Sequence, residues 1–291
     1  MQVVYHLGAP RTDEDRLIKS LLKNRGLLAK EGVIVPPPSR YRSVIRDTTR
    51  LLEGAPAPED IQDALLDTII NDEEADRLIL SFDKFICINR MVVQGAQIWP
   101  MIDRKGLQLR NLFPQAQVEF FIGMRDPATL IPALFQSSRF DDFDEFTENM
   151  QPRALAWSEM LGRLRLAHPD IEVTVWCNED TPLIWGEILR KMADCDPTTT
   201  LDGVDDLLSS IMYPTGFQRM QTYLTEHPPE TEVHRRRIVS AFLDKYARLD
   251  AIEEELDVPG WSQEMVQNMT EAYEEDMAVV ARIPGVNFIT P

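Results

Sequence analysis

The chain is short of the residues that make ready-built sites, and each shortage removes a class of function. It has three cysteines, Cys87, Cys177 and Cys195, far apart and odd in number. That pattern fits neither a disulfide framework nor a zinc set, so a reducing, cytoplasmic setting is expected. The four histidines, His6, His168, His227 and His234, are scattered, and the last three stand beside proline or arginine. No metal site is expected. No Gly-x-x-x-x-Gly-Lys-Ser/Thr spacing occurs, which argues against ATP or GTP hydrolysis. Neither a Gly-x-Ser-x-Gly elbow nor a Cys-His arrangement points to a hydrolase. No apolar run approaches 18 residues, and Met1 to Leu7 lacks a basic lead-in, so neither a membrane span nor a signal peptide is expected. Positive charge is scarce too, with 30 basic against 48 acidic residues and a net charge of -18. A surface with that average field repels nucleic-acid phosphates.

What remains is 291 residues of ordinary globular composition, 44% hydrophobic and 27% charged, enough for one large domain. Gln2 to Leu7 reads as a buried strand, and Asp13 to Lys30 has helical spacing through Leu17, Leu21, Leu22 and Leu28. An extended piece from Gly32 ends at Pro36 to Pro38, and helices are predicted over 43–52 and 59–71. Arg77 to Phe82, Val118 to Met124 and Ile171 to Cys177 are short continuous apolar runs, the mark of strands covered on both faces. Helical stretches follow each of them. This alternation predicts an α/β sandwich of three layers around a central, mostly parallel sheet. From Thr181 on, the sequence reads almost wholly helical, over 182–193, 214–225, 232–256 and 262–282. The prediction is a single domain, 1–291, with an α/β core over 1–180 and a helical C-terminal extension over 181–291. Residues 200–291 hold 17 acidic and 7 basic residues, much of the excess in Glu253-Glu254-Glu255 and Glu274-Glu275-Asp276. Such runs read as solvated helix faces or as a docking surface for a basic protein partner.

In a parallel sheet, ligands bind beyond the carboxyl ends of the strands, where helix N-termini present free N–H groups. His6-Leu7-Gly8-Ala9-Pro10-Arg11-Thr12 lies there. This segment resembles the sulfotransferases, above all bacterial members whose first strand enters a loop of the form His-x-Gly-x-Pro-Lys-Thr-Gly-Thr-Thr. His6, Gly8, Pro10 and Thr12 match, and Arg11 stands for the lysine. Asn24-Arg25 and Leu27 to Pro36 are similar to the family run Asn-Arg-x-x-Leu-x-x-x-Gly-Val-x-x-Pro. Phe120 to Pro127 resembles the family strand that ends in Arg-Asp-Pro. The resemblance spans roughly residues 3–140. It implies a P-loop-like fold in which Gly8, Pro10, Arg11, Thr12 and Arg125 hold the donor 3'-phosphoadenylyl sulfate or its product adenosine 3',5'-bisphosphate. The acceptor would be a small molecule or a glycan.

The departures are as informative as the matches. Asp13-Glu14-Asp15 replaces Gly-Thr-Thr, setting three carboxylates where a dianionic phosphate should lie. Two unit charges about 5 Å apart at an effective dielectric near 20 repel by on the order of 3 kcal/mol. The same residues would also stabilise a helix start, by capping and through the helix dipole. They read either as that, in a loop released from donor binding, or as an altered ligand or cation site. Eight residues after Arg125, where the family has a serine, stands Ala133. Arg125 itself reads as an anion contact or as a structural residue that caps strand carbonyls or pairs with Asp126, Asp141 or Asp142.

Sulfuryl transfer needs a base for the acceptor's proton and cations for the leaving phosphate. Ser81-Phe82-Asp83 resembles the family's Ser-Ser-Glu, making Asp83 the candidate base, with a helix N-cap as its alternative. His6 is a second candidate for the cleft or a hydrogen-bonded strand-end residue. Arg42, Arg46 and Arg50 recur every four residues on one helix face and read as an anion grip or as a solvated, ion-paired face. Arg235, Arg236 and Arg237, after His234, are similar to the family's basic C-terminal donor segment without its glycines. Trp99, Trp157, Trp176 and Trp185 read as core. Three functions stay open: a sulfotransferase relative with impaired donor binding and a non-catalytic role, a working transferase with an altered donor site, or an interaction protein using its acidic helices.

Overall fold

The computed structural model describes residues 1–71, 73–252 and 258–291, so the Glu253 to Glu255 run lies outside the described residues. Strand β1 (Gln2–Gly8) has Val3, Val4, Tyr5 and Leu7 wholly buried. Such a run has no solvent face and belongs mid-sheet. On one side it pairs with β3 (Arg77–Ser81), which carries the short β2 (Val33–Ile34). On the other it pairs with β6 (Gln117–Met124), followed by β7 (Glu172–Cys177) and β8 (Val286–Ile289). All five pairings are parallel, in the order β2-β3-β1-β6-β7-β8. Strands β4 (Val93–Gln94) and β5 (Gln97–Ile98) form a separate antiparallel hairpin.

The alternation of β1 side chains divides the core. Val3, Tyr5 and Leu7 pack with Tyr41, Leu65, Leu109 and Leu161, which come from helices Pro38–Leu52, Glu59–Ile70, Ile102–Arg110 and Trp157–Ala167. Val4 faces the other way, toward Leu17, Leu21 and Ile18 of helix Arg16–Lys23 and Ile188 of helix Thr181–Ala193. The predicted three layers are present. All four tryptophans read as core are buried. Leu21 is wholly buried, and its truncation to alanine would cost about 2–5 kcal/mol.

Several boundaries differ from the sequence reading. The helix predicted over 13–30 starts at Arg16 and breaks at Asn24. The Asn24 side-chain amide donates to the carbonyls of Ser20 and Asp202 and accepts from Asp202 N–H, turning the chain there. The helix predicted from residue 43 begins at Pro38, whose missing N–H is no loss at a first helical position. The almost wholly helical reading after Thr181, with 181–291 as a helical extension, missed β8, which joins the sheet beside β7. Gly285 leads into it with φ +76°, and a Cβ there would collide with the Arg165 guanidinium. The Glu274-Glu275-Asp276 run also divides. Glu274 and Glu275 are exposed, whereas Asp276 is buried and caps helix Trp157–Ala167, accepting from Trp157 N–H at 2.7 Å and Ser158 N–H at 3.1 Å.

Candidate functional site

The strand order reverses direction between β1 and β6, and the crevice beyond their carboxyl ends is where α/β sheets take ligands. The turn after β1 sits at that crevice. Gly8 has φ +98°, and a Cβ on it would meet Pro10 N at 2.9 Å and Asp83 Cα and Cβ at 3.4 Å. Only glycine lets the turn lie this close to the Asp83 segment. Ala9 N–H donates to Gly123 of β6 at 2.8 Å, and the Thr12 hydroxyl donates to Ala9 O at 2.6 Å. Thr12 has therefore used its one proton inside the turn.

Arg11, Glu14 and Asp15 all have positive φ, at 66°, 50° and 65°. Among the described residues, no backbone N–H from Arg11 to Asp15 donates to another backbone group. Successive free N–H groups in such a turn make an anion-binding concavity. The turn's own carboxylates are engaged around it. Glu14 pairs with Arg11 at 2.8 Å, and Asp13 Oδ2 accepts from Leu17 N–H at 3.1 Å. Asp15 holds both ends of the Arg42 guanidinium, at 3.0 and 2.5 Å. Asp13 thus does cap the helix, from three residues before its first helical position, while Asp15 in the N-cap place turns its side chain to Arg42 instead.

The arginine stripe separates accordingly. Arg42 reaches the turn, donates to Ser81 O and lies 4.6 Å from the Phe82 ring centroid, whereas Arg46 pairs with its neighbour Asp47. His6 is buried, with Nδ1 2.9 Å from Ser81 Oγ and its ring stacked on Trp176 at 5.9 Å. Burial pushes its pKa down, against the nearby carboxylates of Asp13, Asp83 and Asp15, which favour protonation. Burial pushes the Asp83 carboxyl up, partly opposed by Lys84. Asp83 thus lies against the turn at Gly8, while His6 sits in β1 between Ser81 and Trp176.

On the β6 side a cavity of about 780 Å³ opens, walled by Arg11, Thr12 and Arg125 together with Phe135, Trp185 and Val258. Arg125 is 6% exposed. Its Nη1 donates to Arg11 O at 2.5 Å and its Nε to Thr129 Oγ1 at 2.9 Å, so it ties the turn to helix Pro127–Gln136. Thr129, four residues after Arg125, provides the hydroxyl that Ala133 lacks. The i,i+4 spacing is the signal that would have found it. Asp126 caps the same helix through Ala128 N–H and accepts from Thr270 Oγ1. Glu179, which the sequence reading also missed, accepts from Asp126 N–H and the Tyr273 hydroxyl, and burial raises its pKa.

Arg235, Arg236 and Arg237 are not among the residues around this cavity. They lie on helix Glu232–Tyr246, where Arg235 is paired with Asp205 and Arg236 with Glu187. Arg236 also donates to Thr290 O. Among the described residues, no cluster of His, Cys, Asp and Glu is arranged to hold a metal ion, and no helix is long and apolar enough to cross a membrane.

No protein-family model matches the chain, and no curated protein matches it. Among solved structures, it is similar to the crystal structure of a sulfotransferase from Alicyclobacillus acidocaldarius. The TM-score is 0.38 at 13% identity, over 83% of this chain and 98% of that one.

Proposed function

We propose that the chain is a sulfotransferase-like protein that has given up the phosphosulfate donor and serves as a non-catalytic binding protein. The carrying observation is the Arg11–Glu14 ion pair. The cation that should meet the donor is held by a carboxylate of the same turn, and Asp13 lies beside it. A dianion entering here competes with Glu14 for Arg11 and approaches like charges, each contact costing up to about 3 kcal/mol near 5 Å and less where solvent screens it. Calorimetric titration with adenosine 3',5'-bisphosphate tests this. The reading expects no saturable heat at millimolar ligand, and saturable binding lost in Arg11→Ala overturns it.

A second reading rests on a different observation, that among the described residues the N–H groups from Arg11 to Asp15 donate to no backbone group. In it the chain is a transferase with an altered donor site, in which Arg11, the Thr12 N–H and Arg125 hold the anion and Asp83 or His6 takes the acceptor's proton. The positions of Arg235 to Arg237 lend it no support. Incubation with 3'-phosphoadenylyl sulfate and a panel of hydroxyl acceptors discriminates the two, since only this reading expects release of the bisphosphate product.

A further inference from the structure

A second cleft, of about 310 Å³, opens at the sheet's β2 edge. It is formed by helix Arg25–Leu28, the segment after β2, the first turn of helix Pro38–Leu52 and the end of helix Glu59–Ile70. Its volume is at the lower end for small-molecule sites. The stretch from Asn24 to Pro36, singled out in the sequence but idle at the turn after β1, supplies much of its wall.

The chemistry of the walls is divided. Ile34, Pro36 and Ile69 give a buried apolar floor, while Arg25 and Arg40 stand exposed at the rim with Glu73. Neither arginine has a carboxylate partner among the described residues, although the chain holds 48 acidic residues. Two guanidinium groups favour a carboxylate or phosphate oxygen pair. Glu73 at the same rim and the net charge of -18 weigh against a second negative charge on the occupant. The apolar floor asks for a hydrocarbon body behind the charged head.

We propose that this cleft binds a small amphipathic monocarboxylate, with the carboxylate between Arg25 and Arg40 and the chain on Ile34, Pro36 and Ile69. It acts independently of the cavity beside Arg11.

Octanoate titrated calorimetrically into the intact protein is the test. Saturable binding is expected, with octan-1-ol and inorganic phosphate each at least about tenfold weaker, because each lacks one half of the match. The Arg25→Glu/Arg40→Glu double variant alters only exposed side chains and is expected to lose octanoate binding at an unchanged melting temperature. Should it misfold, Arg40→Gln alone is expected to weaken binding. Absence of saturable heat, octanol or phosphate binding as tightly as octanoate, or undiminished binding by either variant would each overturn the proposal. Competition by adenosine 3',5'-bisphosphate would overturn the independence of the two sites.

Discussion

The Asp15 carboxylate grips the Arg42 guanidinium at both ends, at 3.0 and 2.5 Å, joining the turn after β1 to helix Pro38–Leu52. The same guanidinium donates to Ser81 O at the end of β3, from Nε at 3.2 Å and Nη2 at 3.0 Å. One ion pair therefore fixes three elements at the candidate site. The Asp15 side chain is 37% exposed, so solvent screening reduces its worth below that of a buried pair. Asp15→Asn is expected to cost about 1–2 kcal/mol in urea unfolding at neutral pH. The hydrogen bond from Arg42 holds the Asp15 carboxyl below its usual range. Its contribution is present above the unfolded-state pKa and is lost as pH falls through the lower folded value. The cost of Asp15→Asn should therefore shrink on acidification.

His6 gives a second pH signature, in a different window. Burial holds its pKa below the ordinary 6.5, so folded protein keeps the ring neutral. Stability is complete above 6.5 and declines as pH falls from there toward the folded value, because the unfolded chain takes up the proton first. His6→Phe keeps a ring against Trp176 and removes the titration. It is expected to flatten this decline while costing about 1 kcal/mol for the lost Ser81 hydrogen bond. In proton NMR, the His6 ring signals should not titrate at 6.5.

Asp83 behaves oppositely. Burial raises its pKa, so the ionised carboxyl weakens the fold once pH rises above the unfolded-state value. Asp83→Asn is expected to raise the melting temperature at neutral pH, with the gain vanishing in acid. If Asp83 instead served as a catalytic base, the same variant would abolish bisphosphate release from 3'-phosphoadenylyl sulfate.

Asp276 is a remote cap whose loss should be severe. Truncation leaves Trp157 N–H and Ser158 N–H without their acceptor, along with the Ser158 hydroxyl. Asp276→Ala is expected to cost about 2–4 kcal/mol in denaturant unfolding, and Asp276→Asn less.

The four long strands could be read from the chain because a strand covered on both faces must be mostly apolar, as Phe120 to Met124 is and as Val3 to Leu7 is apart from His6. β8 escaped because four residues with only Ile289 buried carry little pattern. The turn after β1 was legible from His6, Gly8, Pro10 and Thr12. Its ion pair to Arg42 was not, since 27 positions separate the partners and only the rotation of helix Pro38–Leu52 brings them together. Asp276 looked like part of a solvated run. It shares a face with Met269, Tyr273, Met277 and Val280, and that spacing places it inside.

Under the proposed function, the carboxylates of the turn keep the donor out. A thermal-shift titration with adenosine 3',5'-bisphosphate tests it on the wild type and on the Asp13→Asn/Glu14→Gln variant, which removes two charges from the turn and keeps Asp15 on Arg42. No shift is expected for the wild type at millimolar ligand, and a saturable rise is expected for the variant, whose Arg11 is released from Glu14. A saturable rise in the wild type, abolished by Arg11→Ala, would contradict it.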